Sequence, residues 1–205
     1  WVNLIMDTFA AMALSSIPPD RRVMHDPPRD CNSHIIDRKM GIRILVGGLL
    51  FFIVMTMIWQ LLWHTDITSV RDLLNLETLR ELFLGALKPH TKQHLTGFEM
   101  GVFFSIFVML QFWNLFNARY FRTKGSLLQD LVDLFFNRKR FIESASPMLV
   151  IVAGIILIGQ YFITNVAGAF FDVAPLSLSD WGLILLCTSP VLIIPDILRF
   201  ARGLF

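Results

Sequence analysis

Apolar and polar stretches alternate five times along the chain, and the apolar ones are long. The first covers about residues 1–17 and stops at Pro18-Pro19, where proline geometry ends a helix. The second covers about 44–63 without a single charge, enough to cross a hydrocarbon core of ~30 Å. The others cover about 98–116, 147–166 and 181–198. Between them, two polar stretches keep a helical spacing of apolar residues. In 69–88 these are Leu73, Leu76, Leu79, Leu82 and Phe83. In 120–146, Leu127, Leu128, Leu131, Leu134 and Phe135 alternate with Gln129, Asp130 and Asp133 before the basic run Arg138-Lys139-Arg140. Both patterns suggest short amphipathic helices at a membrane surface, and the first reads equally as a solvated helix packed on loops. The expected fold is an all-α polytopic bundle of five transmembrane helices, forming one membrane domain over residues 1–205.

Composition agrees with this reading. Of 205 residues 55% are hydrophobic and only 17% charged, too apolar for an ordinary soluble domain. No nucleic-acid partner is expected; the partner is the lipid bilayer. All but four of the 18 Lys and Arg fall in residues 18–43, 118–146 and 199–205; the exceptions are Arg71, Arg80, Lys88 and Lys92. By the positive-inside rule the first group of segments is cytoplasmic, so the first span runs inward and the C-terminus is cytoplasmic. Small residues at Gly47-Gly48, Gly154 and Gly159 offer places for close helix packing, and Trp59 and Trp63 suit a membrane interface. Cys31 and Cys187 lie in unlike settings and match no metal spacing; Cys187 reads as a small apolar residue in a packed helix. The chain starts without Met inside an apolar run, with no charged leader, so it is expected to be a piece of a longer protein.

Few polar side chains lie within the spans. Asn3 and Asp7, four apart, share one helix face. No Lys or Arg lies deep in any span, so Asp7 has no basic partner there, and a carboxylate in a bilayer is functional by default. An amide beside a carboxylate suits a hard cation such as Ca²⁺, although the spacing does not separate Ca²⁺ from H⁺ or Na⁺. Asn114, Asn117 and Gln160 read as hydrogen-bonding glue between helices. Asp196, three residues before Arg199, reads as half of a helix-end ion pair.

Three stretches carry a resemblance. Val2-Asn3-Leu4-Ile5-Met6-Asp7-Thr8 with Pro18-Pro19 resembles the sixth membrane helix of Ca²⁺-transporting P-type ATPases, and Asp37-Arg38-Lys39-Met40 fits the loop that follows it. Val108 to Arg119 resembles the eighth helix of the plasma-membrane type, and Val173 to Trp181 more weakly resembles the approach to the last helix. The likeness covers the whole chain, as helices six to ten. It implies that Asn3 and Asp7 supply oxygens to a mid-membrane Ca²⁺, with further ligands from a fourth and a fifth helix outside this chain. The sarcoplasmic-reticulum type binds two ions with a Thr and a Glu where this chain has Met6 and Gln111. A thioether and a neutral amide are poorer ligands for a hard cation, so one ion is implied, with Met6 and Gln111 as neighbours of the site. Ca²⁺ is the implied cargo, with Mn²⁺ as the other candidate. ATP, Mg²⁺ and the phosphorylated Asp would belong to cytoplasmic domains missing here; no Asp-Lys-Thr-Gly-Thr occurs in the chain. Residues 18–43 would touch the phosphorylation domain. No long basic tail follows the last span, which points to a bacterial pump in the inner membrane, or to a chain cut short. Two rival readings remain: a secondary transporter using Asp7 as a proton or sodium carboxylate, and a scaffold that transports nothing.

Overall fold

A computed structural model describes residues 2–16, 34, 36, 38–75, 80, 92–119, 136 and 147–192. Among these residues every regular element is helical, as the sequence predicts. The chain divides into two units, one of residues 19–95 and one that joins residues 1–18 to 96–205.

In the unit of residues 19–95, α2 runs Arg38–His64. It starts earlier than the apolar block because Arg38, Lys39 and Arg43 are good helix formers and extend it towards its N-terminus. Ile42, Ile44, Leu45, Val46, Leu50 and Phe52 are all exposed. Such apolarity on many sides of a 27-residue helix marks a membrane span rather than a core helix. Trp59 and Trp63 meet edge to face at 5.9 Å near its end. Lys92 closes that end. Its Nζ donates to the Thr65 carbonyl and pairs with Asp66 Oδ1 at 3.0 Å, placing a cation at the negative pole of the helix. A 3-10 turn, Val70–Leu74, follows. Asp72 Oδ2 holds its start by accepting from the Thr68 and Ser69 amides, each at 3.0 Å. The rest of the amphipathic helix expected over 69–88 lies outside the described residues, apart from Arg80. So does the one expected within 120–146, apart from Phe136.

The other unit holds α1 (Val2–Ser15), α3 (Gly97–Arg119), α4 (Pro147–Asn165), the single turn α5 (Gly168–Phe171) and α6 (Leu178–Thr188, its last turn reaching Leu192). α1 packs on α4, α4 on α3, and α3 on α6. Pro147 opens α4 at the one helical position where a missing N–H costs nothing. α2, α3 and α4 are each long and apolar enough to cross a membrane; α1 and α6 are shorter apolar helices in the described residues. The fifth expected span therefore begins three residues early, at Leu178, and its end, with Asp196 and Arg199, lies outside the described residues.

Two expectations about packing do not hold. A Cβ placed on Gly47, Gly48, Gly154 or Gly159 would meet nothing within 4 Å. Small residues permit close approach but do not impose it. The glycines that are crowded are Gly97, Gly101 and Gly168, each against residues 172–174. Cys187 is exposed on α6 rather than packed. The glue reading is met by Gln160, whose Nε2 reaches Ser105 Oγ at 3.4 Å and Thr164 Oγ1 at 3.3 Å, with all three residues buried between α3 and α4. Asn114 departs from it: it is exposed and hydrogen-bonds to no other described residue.

Candidate functional site

The site starts from the two sides of α1. Phe9, Ala10, Ala13 and Leu14 are buried or half-buried, whereas Asp7, Thr8, Ala11, Met12 and Ser15 are exposed. At about 100° per residue these sets fall on opposite sides of the helix. The packed side is apolar, as its place against α4 requires. The open side carries the polar atoms. Ser15 turns its hydroxyl back to the Met12 carbonyl at 2.9 Å, as a serine does in an apolar setting. A carboxylate cannot do this for itself, because it only accepts. Asp7 forms neither an ion pair nor a hydrogen bond with any other described residue. Asn3 and Met6 belong to α1 by backbone, and their side chains lie outside what is described.

Gln111 is half-buried on α3. No hydrogen bond joins it to Asp7 among the described residues. Three or more His, Cys, Asp or Glu side chains do not converge among the described residues. The described residues thus present one carboxylate on an open side of α1.

The frame that holds α3, α4 and α6 was only partly legible in the sequence. Asn165, the last residue of α4, clamps the return of the chain. Its Nδ2 donates to the Leu176 carbonyl at 2.9 Å, and its Oδ1 accepts from the Leu176 amide at 3.4 Å and from Trp181 Nε1 at 3.3 Å. The Ala174 amide donates to the Gly97 carbonyl at 2.9 Å, seating the same loop on the start of α3. At the other end Trp113 Nε1 donates to Thr188 Oγ1 at 2.8 Å and Asn117 Nδ2 to the Val191 carbonyl at 2.9 Å. These rungs make α3 and α6 parallel neighbours, with α4 antiparallel to both. Two buried carboxylates sit at the shared end. Glu99 is wholly buried, yet its Oε2 accepts from the Thr96 amide at 2.9 Å, and Thr96 Oγ1 accepts from the Glu99 amide at 3.3 Å. This is a capping box. At α6 the cap is different: Ser177 Oγ accepts from the Asp180 amide at 3.2 Å and donates its own proton to Asp180 Oδ2 at 2.6 Å. Both place a negative charge on the positive pole of the helix. Their signal was present in the sequence as Thr96-x-x-Glu99 and Ser177-x-x-Asp180.

Long apolar helices, an exposed carboxylate on one of the helices and acids elsewhere spent on caps define an integral membrane protein with one polar helix side left to be completed. Comparison narrows the class. Residues 1–201 match the family described as "Cation transporting ATPase, C-terminus", and the chain belongs to it. A plasma membrane calcium-transporting ATPase of Oreochromis mossambicus is 30% identical over 88% of the chain. A plasma-membrane-type calcium-transporting ATPase of Arabidopsis thaliana is 29% identical over 88% of it. A calcium-transporting ATPase of Plasmodium falciparum is 25% identical over 98%. The chain spans only 14% of the length of the first two and 17% of the third.

Proposed function

We propose that this chain is the C-terminal membrane part of an ATP-driven P-type pump that exports Ca²⁺ from the cytoplasm, and that Asn3 and Asp7 supply oxygens to a single ion site. The observation that carries the reading is the open side of α1. A carboxylate there would cost several kcal/mol against lipid, on the order of the ~3 kcal/mol measured for insertion at a helix centre. The side fits instead against protein that completes a cation site. Ca²⁺ takes six to eight oxygens, so one amide and one carboxylate account for a minority of them. The others would come from earlier helices of the same polypeptide, which fits the small share of the relatives' length that this chain covers.

In this reading Asp7 carries the negative charge that favours a divalent ion and Asn3 adds a neutral oxygen. Met6 offers no oxygen, and Gln111 is a neutral neighbour without the charge a second ion would need. ATP with Mg²⁺ drives the cycle in cytoplasmic domains outside these residues, and the chain alone hydrolyses nothing. The membrane is the plasma membrane, the inner one if the source is a bacterium, with the C-terminus and the basic loops cytoplasmic. The relatives' names support Ca²⁺, and the oxygen chemistry admits Mn²⁺ as the alternative cargo.

The test is Asp7→Asn in the full-length protein, assayed as ATP-driven Ca²⁺ uptake by inside-out membrane vesicles. The expected result is loss of uptake to background with normal protein in the membrane. Unchanged uptake would remove Asp7 from the site and leave the scaffold reading. Uptake that survives without ATP but follows a proton or sodium gradient would favour the secondary-transporter reading.

A further inference from the structure

Exposed apolar side chains run along α4 and on into the loop that follows it. Ile151, Ile155, Ile158 and Phe162, three or four apart, are all exposed, whereas Leu149, Val152, Ile156 and Gln160 on the opposite side of α4 are buried. An open apolar side on a helix long enough to span suits lipid hydrocarbon. The 19 residues of α4 extend about 28 Å at 1.5 Å per residue, which matches a hydrocarbon core of ~30 Å, so its end at Asn165 stands at the boundary of that core. Beyond it, residues 166–178 carry one charge, Asp172, and one hydroxyl, Ser177. Phe170 in the turn α5 is 86% exposed, and Val166, Phe171 and Leu178 are exposed too. Backbone bonds hold this loop in place. The Val173 amide donates to the Gly168 carbonyl at 3.0 Å and the Ala174 amide to the Gly97 carbonyl at 2.9 Å, while Asn165 grips both backbone groups of Leu176. Phe170 and Phe171 meet edge to face at 5.1 Å, and the exposed Asp172, in the left-handed region at φ 56°, ends the turn.

We propose that α5 is a membrane-surface anchor: Phe170 and Phe171 enter the interfacial layer of the bilayer, between acyl chains and headgroups. Aromatic side chains of membrane proteins collect at this level. Tyr161, one turn before the end of α4, is exposed and lies 6.1 Å from the Trp181 ring, so the same end of the bundle is already rich in aromatics. An exposed apolar patch of this kind marks a membrane or a protein partner. Lipid is the occupant favoured here, because the patch follows directly on the open side of α4 and offers a partner no charge or hydrogen-bonding side chain before Asp172. The loop is tied to the start of α3, to the end of α4 and to the start of α6, so an anchor at α5 sets the depth of three helix ends together. The inference rests on α4 spanning the membrane and not on the ion that is carried.

Spin labels read such a depth. Phe170→Cys and Ile158→Cys are made singly in the full-length protein freed of its other accessible cysteines, labelled, and reconstituted in phosphatidylcholine vesicles. Both positions are exposed, so neither substitution disturbs a packed core. Collisions of the label with oxygen, which concentrates in lipid, are compared with collisions with a water-soluble nickel chelate. The oxygen-to-nickel ratio at 170 should lie severalfold above that of the free label in buffer and below that at 158. A ratio at 170 as low as that of the free label would place the turn in water and overturn the inference. A label at 170 shielded from both reagents would mean that protein covers α5, which overturns it as well. If the label at 158 itself reads water, α4 is not a span and the anchor falls with it. None of these results bears on Asp7, so the anchor and the ion site stand or fall separately.

Discussion

At the scale of single residues, the chain separates its acids into two uses. Glu99 and Asp180 are buried at the positive poles of their helices, Glu99 in a capping box with Thr96 and Asp180 held by the Ser177 hydroxyl. Asp7 is exposed on a helix side, away from any cap. The contrast sets the expected ranking of substitutions. Gln111→Ala in the full-length protein should change the Ca²⁺ concentration for half-maximal activity by less than about fivefold, because in the proposed site Gln111 is a neighbour of the ion and brings no charge to it. Asp7→Asn should abolish the response. Ca²⁺ titrations of ATPase activity read both, and a Gln111→Ala loss as large as that of Asp7→Asn would make Gln111 a ligand. Asn165 has a structural role of similar clarity. Asn165→Ala removes three hydrogen bonds at once and leaves the Leu176 carbonyl and amide and the Trp181 indole without this partner. The expected cost is roughly 2–3 kcal/mol, readable as a lower thermal midpoint in detergent. Nothing in the sequence singled out Asn165, because its partners, the Leu176 backbone and the Trp181 indole, lie eleven and sixteen residues away, and spacing patterns do not register such contacts.

At the scale of elements, periodicity located the helices but not their neighbours. Runs of 18 or more apolar residues gave α2, α3 and α4 because a span is a local property. The beginnings of α3 and α6 could also have been read, from Thr96-x-x-Glu99 and Ser177-x-x-Asp180. Which glycines are crowded could not. Gly154 and Gly159 look like packing glycines in sequence and have open space beside them, whereas Gly168 lies under the Val173 carbonyl. A Cβ on Gly168 would stand 2.6 Å from that oxygen, a backbone atom that cannot swing aside. Gly168→Ala should therefore destabilise the protein by about 2 kcal/mol. Gly159→Ala should be neutral or slightly stabilising, since alanine is the better helix former. Thermal midpoints of the two variants, compared side by side, check this; equal losses would mean that the loop over Gly168 yields.

At the scale of the molecule, the chain supplies helices, caps and one open polar side, and the proposed ion site needs more oxygens than Asn3 and Asp7 bring. The placement of Lys and Arg supports an orientation with residues 18–43, 118–146 and 199–205 on the cytoplasmic side. This orientation is a reading of composition by segment and does not depend on contacts. Single cysteines at Asp172 and at Phe136, in a protein freed of its other cysteines, test it. A membrane-impermeant thiol reagent applied to intact cells should label the first and spare the second. Labelling of Phe136→Cys from outside would reverse the orientation. Of the proposed ion site, the sequence offers Asp7 in a span without a base, and the structure adds its exposure on α1. In that proposal the remaining oxygens come from residues outside this chain.

The most direct measurement is equilibrium Ca²⁺ binding to the purified full-length protein and to its Asp7→Asn variant, counted as ions bound per polypeptide in the absence of ATP. One Ca²⁺ for the wild type and none at the same concentrations for the variant is the predicted result. Two ions in the wild type would contradict a single site, and one ion retained by Asp7→Asn would contradict the role of Asp7 itself.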